Sequence, residues 1–199
     1  MADRLRIAVL LSGSGRSLQN LLDRSAANDL PGDVVLVISN RAEAFGLERA
    51  RSVGIRAEVV LKKEHGGRFS QRIFDLCREA RVDLVCMAGF LQLIHIPEDF
   101  AGRVLNIHPA LLPDFGGAGM YGDRVHEAVL KAGVKETGCT VHVADNVYDN
   151  GPVLVQKRVP VLPGDTVHSL ADRVFAAECE AYPEAIRLWA QMPRVDQGD

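Results

Sequence analysis

The feature that most constrains the fold is a regular alternation in the first half of the chain. Short apolar runs, rich in β-branched residues, are separated by amphipathic stretches of helical period. Ile7 to Leu11, Val34 to Ile38, Leu84 to Met87 and Val104 to Ile107 are such runs, the pattern of strands buried on both faces. Between them, Leu18, Leu21 and Leu22 recur at helical spacing. Ala44 to Val53 reads as a helix closed by Gly54, and Phe69 to Ala80 places Ile73, Leu76 and Cys77 on one helical face. Glu58 to Leu61 reads as a short further strand. Strands that alternate with helices form a mostly parallel sheet, because a parallel neighbour is reached only through a crossover. Right-handed crossovers then give an α/β, Rossmann-like doubly wound fold with helices on both faces.

The texture changes after Pro109. Residues 109–123 hold two prolines and four glycines and read as a long loop. Val125 to Ala132 follows as a helix ending at Gly133. Cys139 to Val143 and Val153 to Val161 are strands whose connection is too short for a helical crossover, so they are expected to be antiparallel. A last helix is expected over Thr166 to Ala190. A single domain over residues 1–192 accounts for the whole pattern, with 193–199 as a frayed tail.

Composition narrows the partners. The net charge is −3, from 23 basic and 26 acidic side chains, without the basic excess of a general nucleic-acid binder. Cys77, Cys86, Cys139 and Cys179 are widely spaced with no C-x-x-C pair, so they are expected to be reduced thiols rather than disulfides or zinc ligands. No apolar run reaches the ~18 residues of a membrane helix, and the N-terminus lacks a signal-peptide pattern. A soluble, cytoplasmic protein is expected, with no nucleic acid, membrane or metal partner, as a monomer or homodimer.

Two stretches carry chemistry. Ser12-Gly-Ser-Gly-Arg-Ser17 follows a strand and opens a helix, a setting in which free backbone N–H groups and the helix dipole favour an anion. Gly13 and Gly15 allow a phosphate to approach the main chain, Ser14 and Ser17 offer hydroxyls, and Arg16 adds charge. The spacing is not that of a Walker loop, and Leu18 stands where a dinucleotide fingerprint has its third glycine. A tight turn that merely needs positive φ is the competing reading. The second stretch is Leu105-Asn-Ile-His-Pro109. Asn106 and His108 share one side of a strand that Pro109 ends, at the sheet rim where α/β folds bind ligands. Asn106 can donate an N–H to a developing oxyanion and His108 can transfer a proton. A satisfied polar pair at a strand end is the alternative. Thr140 and His142 alternate on a later strand, and Asp149 lies in the following turn; a carboxylate near His108 would favour imidazolium. As ligands, His108, His142 and Asp149 lack any local metal spacing. His65, His95, His126 and His168 have no such constellation and read as surface or helix-end residues.

With these residues in view, the chain resembles the folate-dependent glycinamide ribonucleotide formyltransferases over roughly residues 5–190. The resemblance rests on Ser12-Gly-Ser-Gly, Ser39-Asn, Ala44-Phe-Gly-Leu-Glu-Arg-Ala50, Ala88-Gly-Phe90, Leu105-Asn-Ile-His-Pro-Ala-Leu-Leu-Pro113, Gly138-Cys-Thr-Val-His142 and Asp149-Asn-Gly-Pro152. It implies transfer of the formyl group of 10-formyltetrahydrofolate, as co-substrate, to the amine of glycinamide ribonucleotide. About 1–100 would form the phosphate-binding part, and about 101–192 would complete the folate and catalytic site. The resemblance implies that Asn106 stabilises the oxyanion, that His108 is the general acid, and that Asp149 favours the charged histidine and organises proton relay. Gly13 to Ser17 would hold the phosphate and Glu178 the ribonucleotide. Folate would lie against Leu91, Gln92, Leu93, Ile94 and Asn106 and the turn Asp145, Asn146, Val147, Tyr148 and Asp149, with His142 and Thr140 in support. Relatives commonly have Met-Arg where this chain has Leu91-Gln92, and serine at Ala110. Their folate-contacting arginine falls near Glu64 to Arg68, so either Arg68 or no residue replaces it. A formyltetrahydrofolate deformylase, a hydrolase with a similar trio, is the nearest alternative.

Overall fold

The computed structural model describes residues 4–193; of the expected tail, 194–199 lie outside the described residues. In chain order the elements are β1 (Leu5–Leu11), α1 (Arg16–Ala26), β2 (Gly32–Ser39), α2 (Phe45–Ser52), β3 (Arg56–Val59) and α3 (Lys62–His65). There follow α4 (Phe69–Glu79), β4 (Leu84–Met87), β5 (Val104–His108), α5 (Asp123–Ala132), β6 (Glu136–Val143), β7 (Val153–Pro160) and α6 (Val167–Gln191).

The strands form one sheet in the order β3-β2-β1-β4-β5-β6-β7. The pairs from β3 to β5 are parallel, and β6 and β7 are added antiparallel. The apolar runs explain why β1 is central. Ile7, Val9 and Leu11 point into one core with α1, α2, α5 and α6, whereas Ala8 and Leu10 point into a second core with α4. A strand with both faces covered needs apolar side chains at every position. The α/β doubly wound architecture thus follows from that pattern, with helices on both faces.

Local differences have physical causes. The third strand is Arg56–Val59 and not Glu58 to Leu61, because it is the sheet's edge and carries polar side chains. Arg56 pairs with Glu58 and Glu79, while Leu61 instead opens the short α3, which the sequence pattern did not reveal. β6 begins at Glu136, three residues before the expected Cys139. At the start of α6, Thr166 and Ser169 cap each other's backbone N–H reciprocally. Further along α6, the buried Tyr182 hydroxyl lies 2.9 Å from the Met87 carbonyl and 3.1 Å from that of Leu105. One proton shared between them fastens α6 to β4 and β5. All four cysteines are free thiols, and burial pushes Cys77, Cys86 and Cys139 up to about 12. No helix among the described residues is long and apolar enough to cross a membrane.

Candidate active site

A cavity of about 320 Å³ opens at the carboxyl ends of β1, β4 and β5. Its middle is built by β5 and β6. Their antiparallel register sets Asn106 opposite His142 and His108 opposite Thr140, so four polar side chains share one face. Asp149 reaches them from the turn after β6. That turn is held by Asp145, which accepts from the Val147 N–H at 2.8 Å and from Asn150 Nδ2 at 2.6 Å. Gly151, at φ +100, ends the turn; a Cβ there would stand 2.1 Å from the Val143 carbonyl oxygen, so only glycine fits.

Hydrogen bonds orient each group. His108 is 3% exposed. Its Nε2 donates to the Phe115 carbonyl at 2.8 Å, which leaves Nδ1 facing Asp149 Oδ1 at 3.5 Å. The Asp149 Oδ2 accepts the Gly117 N–H at 2.8 Å. The 109–123 loop therefore positions both His108 and Asp149 through its backbone, a connection that sequence spacing did not disclose. Asn106 Nδ2 lies 3.1 Å from His142 Nε2 and donates to Asp149 Oδ1 at 3.3 Å. His142 Nδ1 faces the Val143 carbonyl at 3.3 Å. Burial pulls the His142 pKa below the ordinary histidine value, with backbone bonds and Asp149 opposing. A neutral ring with its proton on Nδ1 satisfies both contacts, and its bare Nε2 holds the Asn106 amide in one orientation. Thr140 works elsewhere: its hydroxyl donates to the Ala110 carbonyl at 2.7 Å and accepts the Leu112 N–H at 3.0 Å. It anchors the start of the loop, and its hydroxyl bonds neither His108 nor Asp149.

One end of the cavity is the start of α1. Gly15 is its N-cap in a left-handed conformation, and no side chain caps the helix. The Ser12–Gly15 turn is pinned from outside: Ser12 bonds Asn40 and the Leu91 N–H, and Arg49 Nε donates to the Ser14 carbonyl at 2.9 Å. Arg16 and Ser17 line the cavity; Gly13 and Ser14 are exposed beside it. The Arg16 guanidinium lies 3.9 Å from the Phe175 ring centre and bonds Asp172 at 3.0 Å. Glu178 lines the same end; burial pushes its carboxyl up to about 7, with Arg16 pulling the other way.

Much of the remaining lining is apolar. Leu91 to Ile94, Asp145, Val147 and Tyr148 belong to it, joined by Phe90 and Ile96, which sequence reasoning did not select. Asn146 turns away, its Oδ1 accepting the Ile96 N–H at 2.7 Å. Arg68 is exposed and is not a wall residue. At that rim the chain instead offers Lys62, whose Nζ donates to Gln92 Oε1 at 3.3 Å. His126 is a correction. Read as a surface or helix-end residue, it does stand in the first turn of α5, but it is not on the surface: it is 5% exposed and lines the cavity. Its helical period signalled only that one face of α5 is buried, not which polar residue the face carries. Among the described residues no group of three or more His, Cys, Asp or Glu is arranged to hold a metal ion.

A doubly wound sheet with a cavity at the carboxyl ends of its parallel strands is the frame of an α/β ligand-binding domain. The formyl transferase family pattern matches residues 5–186, and the chain belongs to that family. A glycinamide ribonucleotide transformylase from Symbiobacterium toebii superposes with a TM-score of 0.89 at 44% identity, covering 96% of this chain and 89% of that one. A trifunctional purine biosynthetic protein of Drosophila pseudoobscura pseudoobscura is 41% identical over 196 residues; the match covers 94% of this chain and 14% of the relative. The chloroplastic phosphoribosylglycinamide formyltransferase of Arabidopsis thaliana is 39% identical, with 92% of this chain and 64% of the relative covered. The chain thus spans a small part of the first curated relative and under two thirds of the second.

Proposed function

We propose that this chain transfers the formyl group of 10-formyltetrahydrofolate to the amine of 5'-phosphoribosylglycinamide, a step of purine biosynthesis. The observation that carries the reading is the convergence of Asn106, His108 and Asp149 in one cavity with the start of α1, a helix whose N-terminus no side chain caps, and a set of apolar side chains. The phosphate binds at the start of α1, where backbone N–H groups and Arg16 meet its charge. Glu178 accepts from the ribose hydroxyls. The folate ring system lies against Leu91 to Ile94 and the Asp145–Asp149 turn.

The amine is its own nucleophile, so no activated serine or cysteine is required. Its lone pair attacks the formyl carbon, and the carbonyl oxygen becomes an oxyanion. Asn106 Nδ2 meets that oxygen by exchanging its long 3.3 Å contact with Asp149, while the His142 contact keeps the amide oriented. His108 delivers a proton from Nδ1 to the departing folate nitrogen, because Nε2 is committed to the Phe115 carbonyl. The carbon–nitrogen bond to folate then breaks, and the amine's surplus proton returns to the site through Asp149. The products are formylglycinamide ribonucleotide and tetrahydrofolate. A cytoplasmic location belongs to the same proposal.

The test incubates the protein with 10-formyltetrahydrofolate, with and without phosphoribosylglycinamide. Formylated ribonucleotide forming only with the acceptor present supports transfer. Equal formate release in both tubes, with no formylated product, would replace transfer by hydrolysis, the deformylase alternative.

A further inference from the structure

His126 is the one buried imidazole at the cavity that the proposed chemistry leaves idle. It projects from α5, which packs on α6, the helix that brings Ala171, Phe175 and Glu178 to the same cavity. Its Nδ1 is sealed from solvent with no hydrogen-bond partner among the described residues. Every other imidazole of the buried set is engaged: His108 with Phe115 and Asp149, His142 with Asn106 and Val143. A buried N–H without an acceptor is rarer in folded chains than a bare acceptor, so the unpartnered Nδ1 bears on which ring nitrogen carries the proton.

The chemistry of the ring narrows what it can bind. Burial pulls its pKa down, with Asp123 opposing and the nearby His108 adding to the shift, so the ring is neutral at physiological pH. A sealed nitrogen tolerates a bare lone pair better than an unbonded N–H, and no acceptor stands within hydrogen-bond reach of Nδ1 among the described residues. The proton therefore sits on Nε2, at the ring's other edge. A neutral N–H donor suits an oxygen of an uncharged group better than a phosphate, which the start of α1 already serves.

We propose that His126 Nε2–H donates to an oxygen of the ribose–glycinamide segment of the acceptor, fixing the amine against the formyl carbon. The inference rests on the acceptor assignment above. His126 is thus a specificity-determining residue for the acceptor and has no part in holding folate.

Calorimetric titration separates the two halves of the site. Wild-type protein is titrated with phosphoribosylglycinamide alone and with an unreactive formyl-folate analogue alone. His126→Ala should weaken the acceptor about tenfold, the effect of one neutral hydrogen bond, and leave the folate analogue unchanged. His126→Gln, whose amide nitrogen overlays Nε2, should restore most of the acceptor affinity, and His126→Asn should not. Unchanged acceptor affinity in His126→Ala, or equal loss for both ligands, overturns the proposal, the latter because it marks a merely structural residue. Wild-type protein that binds no phosphoribosylglycinamide refutes the acceptor assignment itself, a different outcome from either.

Discussion

Gly13 and Gly15 look interchangeable in the sequence, and the structure assigns them different work, which a pair of alanine substitutions separates. Gly15 sits at φ +71, and a Cβ there would lie 2.7 Å from Gly46 Cα, a backbone atom that cannot swing aside. A left-handed conformation costs an L-residue about 1–2 kcal/mol. Forcing a methyl against the start of α2 adds about 1–3 kcal/mol of overpacking. Gly15→Ala should therefore lose about 2–5 kcal/mol, and at roughly 2–4 °C per kcal/mol for a chain of this size the melting temperature should fall by about 4–20 °C. Gly13 has no heavy atom within 4 Å of its would-be Cβ, and its φ is not positive. Gly13→Ala should leave stability unchanged or raise it by about 0.4–1 kcal/mol, through the unfolded chain's lost freedom. The same methyl would stand where the phosphate approaches the main chain, so acceptor affinity should drop at least about tenfold. Thermal unfolding and calorimetry on both variants read the two effects separately. A Gly13→Ala protein that binds phosphoribosylglycinamide as tightly as the wild type would refute the phosphate assignment of the turn. An equally stable Gly15→Ala would refute the packing argument.

Four further outcomes are expected. His108→Ala should reduce turnover by about 10²–10⁴-fold while acceptor binding by calorimetry stays near wild type; unimpaired turnover removes His108 from the chemistry. Arg16→Ala should weaken acceptor binding about 10–100-fold, the range of one charge-assisted hydrogen bond, with folate-analogue binding as the control that must not move. Glu178 holds its proton in the folded chain up to about pH 7, against 4.5 for an ordinary glutamate. Between these values the folded state carries more protons than the unfolded one, so Glu178 makes stability fall as pH rises through that window. Glu178→Gln should remove that slope, and parallel melting-temperature profiles for the two proteins from pH 4.5 to 8 would contradict it. Tyr182→Phe should cost about 1 kcal/mol, or about 2–4 °C in melting temperature, by removing the hydroxyl shared between the Met87 and Leu105 carbonyls; no change in melting would show that this link holds nothing.

Much of the site was legible because its signals are local. The period-two spacing of Asn106 and His108, with Pro109 closing the strand, places two polar groups on one face at the sheet rim without any tertiary knowledge. The turn at Ser12–Ser17 announces itself by sitting between a strand and a helix. The edge strand β3 was misplaced by two residues because its polar residues match a loop as well as an edge. Arg68 and Lys62 show the other limit: which cation nears Gln92 depends on how α3 folds back, and a four-residue helix leaves almost no periodic trace.

By itself the sequence determined the alternation of buried strands and amphipathic helices, and hence the doubly wound sheet and the rim on which Asn106 and His108 stand. Hydrophobic period is a property of neighbours along the chain, so it survives without coordinates. Only the tertiary structure decided how the second half closes over that rim. The register of β6 puts His142 against Asn106, the Phe115 carbonyl and Gly117 N–H take hold of His108 and Asp149, and α5 turns His126 into the cavity. These contacts join residues remote in sequence through backbone groups that every residue carries, so no residue type marks them in advance.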